Sequence, residues 1–185
     1  MKNINNKIAQ IITKILEVVH WIAVGLMAAV IISLLIAPQW LGNLMDINSL
    51  MAEKEISAYG FEVTVINSNG ELNVTAFILF AIGAIVIFSL MVMVFRNLYL
   101  IIKKSDGVTP FQKDNVRMLK EIGIFSISIQ IIGLIMSIII GLVTGIEIIE
   151  TSVNFDGFIM GIIVFCLTEF FAYGVKLEED MDGLL

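Results

Sequence analysis

The sequence predicts an all-α membrane protein with four transmembrane helices, both termini in the cytoplasm and a small extracytoplasmic hairpin between helices 1 and 2. Composition is the first observation behind this prediction, because 58% of the 185 residues are hydrophobic and only 15% are charged. Soluble domains are roughly 45–50% apolar, and a soluble fold of this length cannot bury so large an excess. We therefore expect the excess to face lipid, which argues against soluble enzymes, nucleic-acid binders and disordered regulators.

Four long apolar runs are the second observation, and they define one membrane domain over residues 1–185. A helix needs about 20 residues to cross about 30 Å of hydrocarbon, because each residue adds about 1.5 Å. In the first run, Trp21 and Trp40 stand 19 positions apart, a spacing that puts one tryptophan at each face of a bilayer. The predicted helices cover about residues 18–40, 74–95, 122–143 and 157–175.

The distribution of lysine and arginine is the third observation, and it predicts the orientation of the chain. The segment before the first run, the segment over residues 96–121 and the C-terminal tail hold every basic residue except Lys54. Basic residues close to membrane helices stay preferentially in the cytoplasm. We therefore expect a multi-pass protein of the bacterial cytoplasmic membrane with its N and C termini inside.

The two loops predicted to lie outside, residues 41–73 and 144–156, carry net charges of −4 and −3. The first loop contains an alternating segment over residues 61–66, turn-forming residues at 67–70 and a short return over residues 71–74. Alternation followed by such a turn predicts a β-hairpin. We expect this hairpin to lie above the membrane, and loop 41–73 to act as a sensing surface.

The cytoplasmic loop, residues 96–121, carries a helix-start signal. Thr109 fits an N-cap, Pro110 the first helical position and Gln112 the returning member of a capping box. The residues that follow are mostly polar, so the sequence predicts a helix along the membrane interface. That helix either turns into the third membrane helix or is continuous with it.

Small residues recur at every fourth position on two of the predicted helices. In lipid, such stripes let helix backbones approach closely, so we expect them to be packing surfaces. The sequence leaves open whether the stripes pack on each other or across a dimer. The stripes consist of Gly25, Ala29, Ser33 and Ala37 on the first helix and of Gly133, Ser137, Gly141 and Gly145 on the third.

Glu169 is the one acidic residue inside a predicted membrane run. A carboxylate buried there without a partner is expensive, so intramembrane acids usually face another polar group or water. The hypothesis is a polar cluster in which Glu169 meets Arg96 or Gln130, with Asn97 and His20 on the same side of the membrane. Interhelical hydrogen bonding without activity and an ion or proton site are the two alternatives for this cluster.

The sequence contains no recognisable catalytic motif. It lacks the metalloprotease, nucleophile-elbow and phosphate-loop patterns and any pair of intramembrane aspartates. A single histidine and a single cysteine, Cys166, argue against a histidine-based or cysteine-based metal site. We therefore expect no enzyme activity, no metal and no cofactor. Without a helix-turn-helix in the chain, we also expect no direct contact with nucleic acid.

Two segments resemble a known bacterial family. One is Gly107-x-Thr109-Pro110-Phe111-x-x-x-Asn115-x-x-x-Leu119-x-x-Ile122-Gly123, which leads into a membrane helix. The other is Glu169-x-x-x-Tyr173-Gly174-x-x-Leu177-x-Glu179-Asp180, near the C-terminal end. With the four-helix layout, these motifs make nearly the whole chain similar to the membrane proteins called domain of unknown function 2975 (DUF2975). The tail, Met181-Asp182-Gly183-Leu184-Leu185, departs from the Leu-Thr-Val-like ending common in that family.

The resemblance implies a role through the context of the family. Its members are often encoded beside a small Cro-type helix-turn-helix regulator, which implies a membrane protein that tethers or inhibits a DNA-binding protein. The expected docking surface consists of residues 107–121, through Lys113, Arg117 and Lys120, and of residues 176–185. The basic loop has two further interpretations, attraction of anionic lipid and fixing of the topology alone.

Two other functions remain open alternatives. One is a small transporter or channel subunit, with Glu169 and Gln130 on its path. One sparsely polar four-helix bundle provides a poor path, so this alternative requires a homo-oligomer. The other is an immunity protein against membrane-active peptides, for which the negative charge of the outside loops would matter.

Overall fold

The computed structural model describes residues 4–36, 55–65, 73–145 and 156–183 of the chain. The elements in these ranges are α1 Ile4–Ile36, β1 Glu55–Ala58, β2 Phe61–Thr64, α2 Val74–Lys104, α3 Lys113–Thr144 and α4 Asp156–Asp182. Each of the four helices is long and apolar enough to cross a membrane. Within the described ranges, the prediction of a helical protein with four helices of membrane-spanning length and composition is therefore confirmed.

The helices extend beyond the apolar runs that predict them. α1 begins at Ile4, 14 residues before the first run, and α2 continues to Lys104. α3 begins at Lys113 and passes without a break into the third apolar run, so the polar segment is continuous with the membrane helix. A helix satisfies its own backbone hydrogen bonds, and its polar end turns do not need lipid around them. Apolar runs therefore mark only part of each helix.

The predicted capping box before α3 is wrong in its details. Thr109 Oγ1 accepts a hydrogen bond from the backbone N–H of Phe111 at 3.1 Å, but the helix begins only at Lys113. The Gln112 side chain donates to the carbonyl oxygen of Thr109 at 3.1 Å and does not return to its N–H. Both side chains order the connector between α2 and α3, residues 105–112, because each closes a turn within it.

The chain divides into two compact units. The basic unit consists of Met1–His20, Leu90–Ser128 and Phe155–Leu185, and it holds every lysine and arginine except Lys54. The hairpin unit consists of Trp21–Ser89 and Ile129–Asn154, and it contains β1 and β2. Most of the residues that the sequence singles out for polar contacts and docking belong to the basic unit.

A two-residue turn joins β1 and β2. The strands pair antiparallel, from Glu55 with Thr64 to Ala58 with Phe61. The turn residues Tyr59 and Gly60 have positive φ angles of 52° and 81°, a backbone typical of tight hairpin turns. Residues 61–64 thus pair with the segment that precedes them, a pairing that the sequence does not predict. Between the two segments of the predicted hairpin, the backbone N–H of Asn73 donates to the carbonyl oxygen of Val65 at 2.7 Å.

The chemistry of the turn at Tyr59 and Gly60 explains why the sequence does not predict it. Tyrosine is uncommon at positive φ, so position 59 gives little sign of a turn in the sequence. Residues 67–70, in contrast, are four turn-forming residues in succession. This predicted turn lies outside the described residues, and residue 74 of the predicted return begins α2.

The hairpin packs along α2. Phe61 is 1% exposed, and its ring stacks on Phe80 with centroids 5.0 Å apart. The Tyr59 ring meets Phe88 edge-on at 6.1 Å. Because Phe88 follows Val74 by 14 residues, the turn lies level with a point about 21 Å along α2. The β1–β2 hairpin therefore lies beside α2.

Two glycines make room for Phe61. A Cβ atom at Gly83 on α2 would come within 2.8 Å of Cε1 of Phe61, and one at Gly133 on α3 would come within 3.2 Å of its Cβ. Gly133, a member of the predicted small-residue stripe, thus packs on the hairpin. The rest of that stripe is the buried Ser137, the half-buried Gly141 and Gly145, which follows the last residue of α3 with a φ of 65°.

The small-residue stripe of α1 has a different environment. Gly25 and Ala29 are exposed, and Ser33 is half-buried. A Cβ atom at Gly25 would meet no atom of the described chain within 4 Å. Ala37, the last member of the stripe, lies outside the described residues. The described part of the chain therefore makes no close packing contact at Gly25.

Candidate functional site in the basic unit

The N-terminal half of α1 packs antiparallel to the C-terminal part of α2. Lys14 Nζ lies 5.4 Å from the ring centroid of Tyr99. The His20 ring lies 5.0 Å from the ring of Phe95. As the residue number rises along α1, it falls along α2. These two contacts therefore show which residues of α1 and α2 lie at the same height along the two helices.

Three buried polar side chains form a layer at this contact. Glu17, His20 and Asn97 are only 8%, 7% and 5% exposed. Glu17 on α1 and Asn97 on α2 each lie midway between the two contacts, so they stand at the same level of the two helices. Burying a polar group is expensive unless it is hydrogen-bonded, and partners are accordingly found for all three.

The two members on α1 have partners on their own helix. Glu17 accepts a hydrogen bond from Lys14 Nζ at 2.9 Å, nearly one turn earlier. His20 Nδ1 lies 2.7 Å from the carbonyl oxygen of Leu16. Because a carbonyl oxygen can only accept, Nδ1 carries the proton in the neutral ring. This bond fixes both the tautomer and the orientation of the imidazole.

The third member joins α2 to α3. Asn97 Nδ2 donates to Glu121 Oε2 at 2.9 Å, and a hydrogen bond to a carboxylate is stronger than one between neutral groups. The other carboxylate oxygen of Glu121 lies 3.9 Å from Arg117 Nε, one turn earlier on α3. Chemically, this arrangement holds two helices in register through a charge-assisted hydrogen bond.

The members of the predicted polar cluster fall in different environments. Asn97 and His20 are buried in the polar layer, whereas Arg96 is exposed. Gln130 is half-buried and belongs to the hairpin unit. The structure therefore brings Asn97 together with Glu121 and leaves Arg96 on the surface of α2.

Glu169 is exposed on α4. It lines a shallow groove together with Phe170 and Tyr173. Its carboxylate makes no hydrogen bond or ion pair with another described residue.

Glu17, a member of the layer, and Glu121, the partner of Asn97, are not among the residues that the sequence predicts for a polar cluster. Glu17 immediately precedes the apolar run that starts at residue 18, and Glu121 immediately precedes the run that starts at residue 122. Arg96 and Asn97 immediately follow the run that ends at residue 95. Charges at such positions are typical of the membrane interface. Their common position was nevertheless an available signal, because antiparallel helices bring the same-side ends of neighbouring runs together.

The connector between α2 and α3 is held by Asn115. This side chain is fully buried, and its Nδ2 donates to the Pro110 carbonyl oxygen at 2.9 Å and to Ser105 Oγ at 3.1 Å. Asn115 Oδ1 is buried without a hydrogen-bond partner among the described residues. The two bonds fasten both ends of the connector to the first turn of α3.

Phe111 attaches the same connector to α4. Its ring meets Phe171 edge-on with centroids 5.5 Å apart. A Cβ atom at Gly174 would come within 2.7 Å of both Cγ and Cε1 of Phe111, so the absence of a side chain at position 174 lets the ring lie against α4. The two motifs quoted for the resemblance thus meet at this contact.

The three residues predicted to dock a partner lie in the first turns of α3. Lys113, Arg117 and Lys120 are all exposed. Lys113 Nζ forms an ion pair with Glu179 Oε1 of α4 at 2.6 Å. An exposed ion pair contributes only about 0–1 kcal/mol. Its significance here is positional, because it places the start of α3 beside the end of α4.

A second ion pair links α2 to the first turn of α3. Lys104 Nζ lies 2.7 Å from Asp114 Oδ2. The hydrogen bond from Lys104, together with its positive charge, holds the pKa of the Asp114 carboxyl below its ordinary value. Among the described residues, no three histidine, cysteine, aspartate or glutamate side chains are grouped as the ligands of a metal ion would be.

A comparison with family models supplies the family. The model described as "Protein of unknown function (DUF2975)" matches residues 51–183. The chain belongs to this family. In this DUF2975 protein the matched range contains the hairpin, α2, α3 and α4, together with both quoted motifs, and α1 precedes it. Comparison with curated proteins and with solved structures gives no match.

Proposed function

We propose that this DUF2975 protein is a non-enzymatic membrane protein that tethers or inhibits a cytoplasmic helix-turn-helix transcription regulator. The docking surface consists of Lys113, Arg117 and Lys120 on α3 together with α4 from position 176 onward. One observation carries the proposal: the ion pair between Lys113 and Glu179 makes a single exposed surface from two segments that are distant in sequence.

Preorganisation of this surface supports the proposal. A surface that is already ordered loses less conformational freedom when it binds a partner. The Asn115 side chain orders the connector through two hydrogen bonds, and the Phe111 ring packs against α4. The docking residues therefore extend from a fixed support.

The charges on the surface also favour a protein partner. Three exposed cations lie in the first turns of α3, and one of them, Lys113, pairs with the exposed Glu179 of α4, where Asp180 is also exposed. Mixed charges of this kind set the orientation and specificity of a partner more than its raw affinity. A helix-turn-helix protein with its own acidic and basic patches matches such a surface.

Purification of the protein from its native host in mild detergent tests the proposal. We expect a small DNA-binding protein to copurify at stoichiometric amount. A triple K113A/R117A/K120A variant should lose most of it. A matched K7A/R96A/K103A variant removes three exposed cations from α1 and α2, changes the net charge equally and should retain the regulator.

Two results would contradict the proposal. One is a wild-type preparation without any DNA-binding protein. The other is equal recovery of the regulator with the docking variant and with the control variant, which would mean that the regulator does not bind this surface. In either case, measurement of flux in proteoliposomes, with and without Glu169→Gln, tests the transporter alternative next.

A further inference from the structure

One exposed face of α1 carries a seven-residue repeat along the whole helix. The intervals between its members alternate between four and three residues, and every member is apolar or small. The repeat begins with Ile4, Ile8, Ile11, Ile15, Val18 and Ile22, which are 47–72% exposed, and continues with the same spacing to Ile36. This face is called the α1 seam below. A different face of α1 carries the buried Glu17, His20 and Leu34.

Lipid alone does not account for the α1 seam. The seam starts 14 residues before the first apolar run, which is about 21 Å of helix. In this part of α1, Lys14 lies over Tyr99, close to the Lys103–Lys104 end of α2. Hydrocarbon requires only that residues within it be apolar, and it imposes no seven-residue repeat. A row of exposed isoleucines at this end of the helix therefore calls for a protein partner.

The repeat identifies the partner as another helix. A spacing of 3.5 residues keeps a row of side chains facing a second helix in a left-handed pair. Two copies of a membrane protein share one orientation in the membrane, so α1 can meet α1 of a second copy in parallel. In this symmetric contact each seam residue meets its own counterpart.

The charges of α1 are compatible with such self-pairing. Like charges would meet directly if they lay on the seam, but Lys7, Lys14 and Glu17 all lie off it. Lys7 and Lys14 occupy the flanking g position of the repeat. In a parallel pair this position faces the e position of the partner, which holds Ile12 and Val19 in this sequence. No lysine of the described helix therefore meets its own copy.

Gly25 provides the site of closest approach. A Cβ atom there would touch no described atom within 4 Å, and the exposed Ala29 follows one turn later on the seam. Small residues one turn apart let two helices approach closely in lipid. We propose that α1 pairs in parallel along the α1 seam with α1 of a second copy, forming a two-fold symmetric dimer.

Cysteine cross-linking in native membranes tests the dimer. Single cysteines are placed at positions 8 to 18 in a Cys166→Ser background and then oxidised. A disulfide requires Cβ atoms about 4 Å apart, so cross-linked dimers should peak at positions 8, 11, 15 and 18 and be at least fivefold weaker at 9, 13 and 16. The unmodified chain is the control, because its exposed Cys166 lies on α4 and should not cross-link.

A Gly25→Leu variant provides an independent measurement. Because a side chain at position 25 has free space in the single chain, its unfolding temperature measured as a monomer in strong detergent should not change. Cross-linking at positions 22 and 29 should fall at least fivefold. A flat cross-linking profile along α1, cross-linking through Cys166 equal to that of the seam, or full cross-linking in Gly25→Leu would each overturn the proposal.

Discussion

The ring of Phe111 occupies the space that a side chain at position 174 would need. A Cβ atom at Gly174 would lie within 2.7 Å of Cγ and Cε1 of Phe111, which is far inside ordinary van der Waals contact. Phe171 holds the same ring edge-on. The connector between α2 and α3 is thus packed against α4 at a point where a single methyl group would force it to move.

The first prediction is that Gly174→Ala destabilises the protein. Overpacking of a tight contact typically costs about 1–3 kcal/mol, and the methyl group would meet the middle of a rigid ring. We expect a clear fall in the unfolding temperature in detergent. Gly183→Ala is the matched control, because a Cβ atom there would meet its nearest neighbour, the Glu179 carbonyl oxygen, at an ordinary 3.5 Å.

A double variant attributes this loss to Phe111. Phe111→Ala removes the ring, so Gly174→Ala should cost much less in that background than in the wild-type chain. Additive effects of the two substitutions would mean that position 174 requires glycine for another reason. The decisive quantity is therefore the interaction free energy between the two substitutions, measured from the stabilities of the single and double variants.

The second prediction concerns the buried Asn115. Asn115→Asp keeps the size of the side chain but removes the donor that serves the Pro110 carbonyl oxygen and Ser105 Oγ. It also places an acid where the side chain is fully buried. Loss of a buried hydrogen bond costs about 1–3 kcal/mol, and a charge costs more. Thermal unfolding and proteolysis within the connector should both report a large effect.

Ser105→Ala is the graded control for Asn115. It removes one of the two acceptors and leaves the bond to Pro110 in place, so its effect on the unfolding temperature should be less than half of that of Asn115→Asp. Equal effects of the two substitutions would mean that the bond to Pro110 contributes nothing and that Asn115 acts through Ser105 alone.

The sequence predicts the membrane helices well because lipid imposes a strong and local requirement. An apolar run of about 20 residues is visible without knowledge of its neighbours. The polar turns at the helix ends lack that signature, so the predicted helices are too short at Ile4, Lys104 and Asp182. The start of α3 at Lys113 also depends on contacts of the connector that are distant in sequence.

The polar contacts are harder to predict because they depend on which helices are neighbours. Asn97 pairs with Glu121, which is 24 residues away in sequence, and no local pattern selects Glu121 over Arg96 or Gln130. The pairing of β1 with β2 is not predicted from the sequence for a similar reason. Packing of Phe61 against Gly83 and Gly133 stabilises a turn at Tyr59, a residue that turn chemistry disfavours there.

The third prediction is that Phe61→Ala strongly destabilises the hairpin unit. Phe61 is 1% exposed, stacks on Phe80 and fills the space beside two glycines. Truncation of a buried phenylalanine typically costs about 3–5 kcal/mol, because the surrounding side chains do not fully close the cavity. The unfolding temperature should fall accordingly. The exposed neighbour Glu62 is the control, and Glu62→Ala should change stability by about 0.5 kcal/mol or less.

The fourth prediction is a pH dependence of the link between α2 and α3. Lys104 lowers the pKa of Asp114 from its ordinary value of 3.8. An acid whose pKa is lower in the folded state stabilises that state above the unfolded pKa, and the contribution is lost as the pH falls through the folded pKa. Asp114→Asn should therefore lower the unfolding temperature slightly at neutral pH, and the difference should shrink below pH 3.8 and vanish once the pH has fallen through the lower folded-state pKa.

The matched control for this link is Asp106→Asn, which changes an aspartate of the same connector region that forms no ion pair with another described residue. The difference in unfolding temperature between Asp106→Asn and the wild type should not depend on pH in this way. Because both partners of the Lys104–Asp114 pair are partly exposed, salt screens their attraction, and the effect at neutral pH should shrink as the salt concentration rises. A difference between wild type and Asp114→Asn that persists unchanged below pH 3.8 would contradict the electrostatic origin of the link.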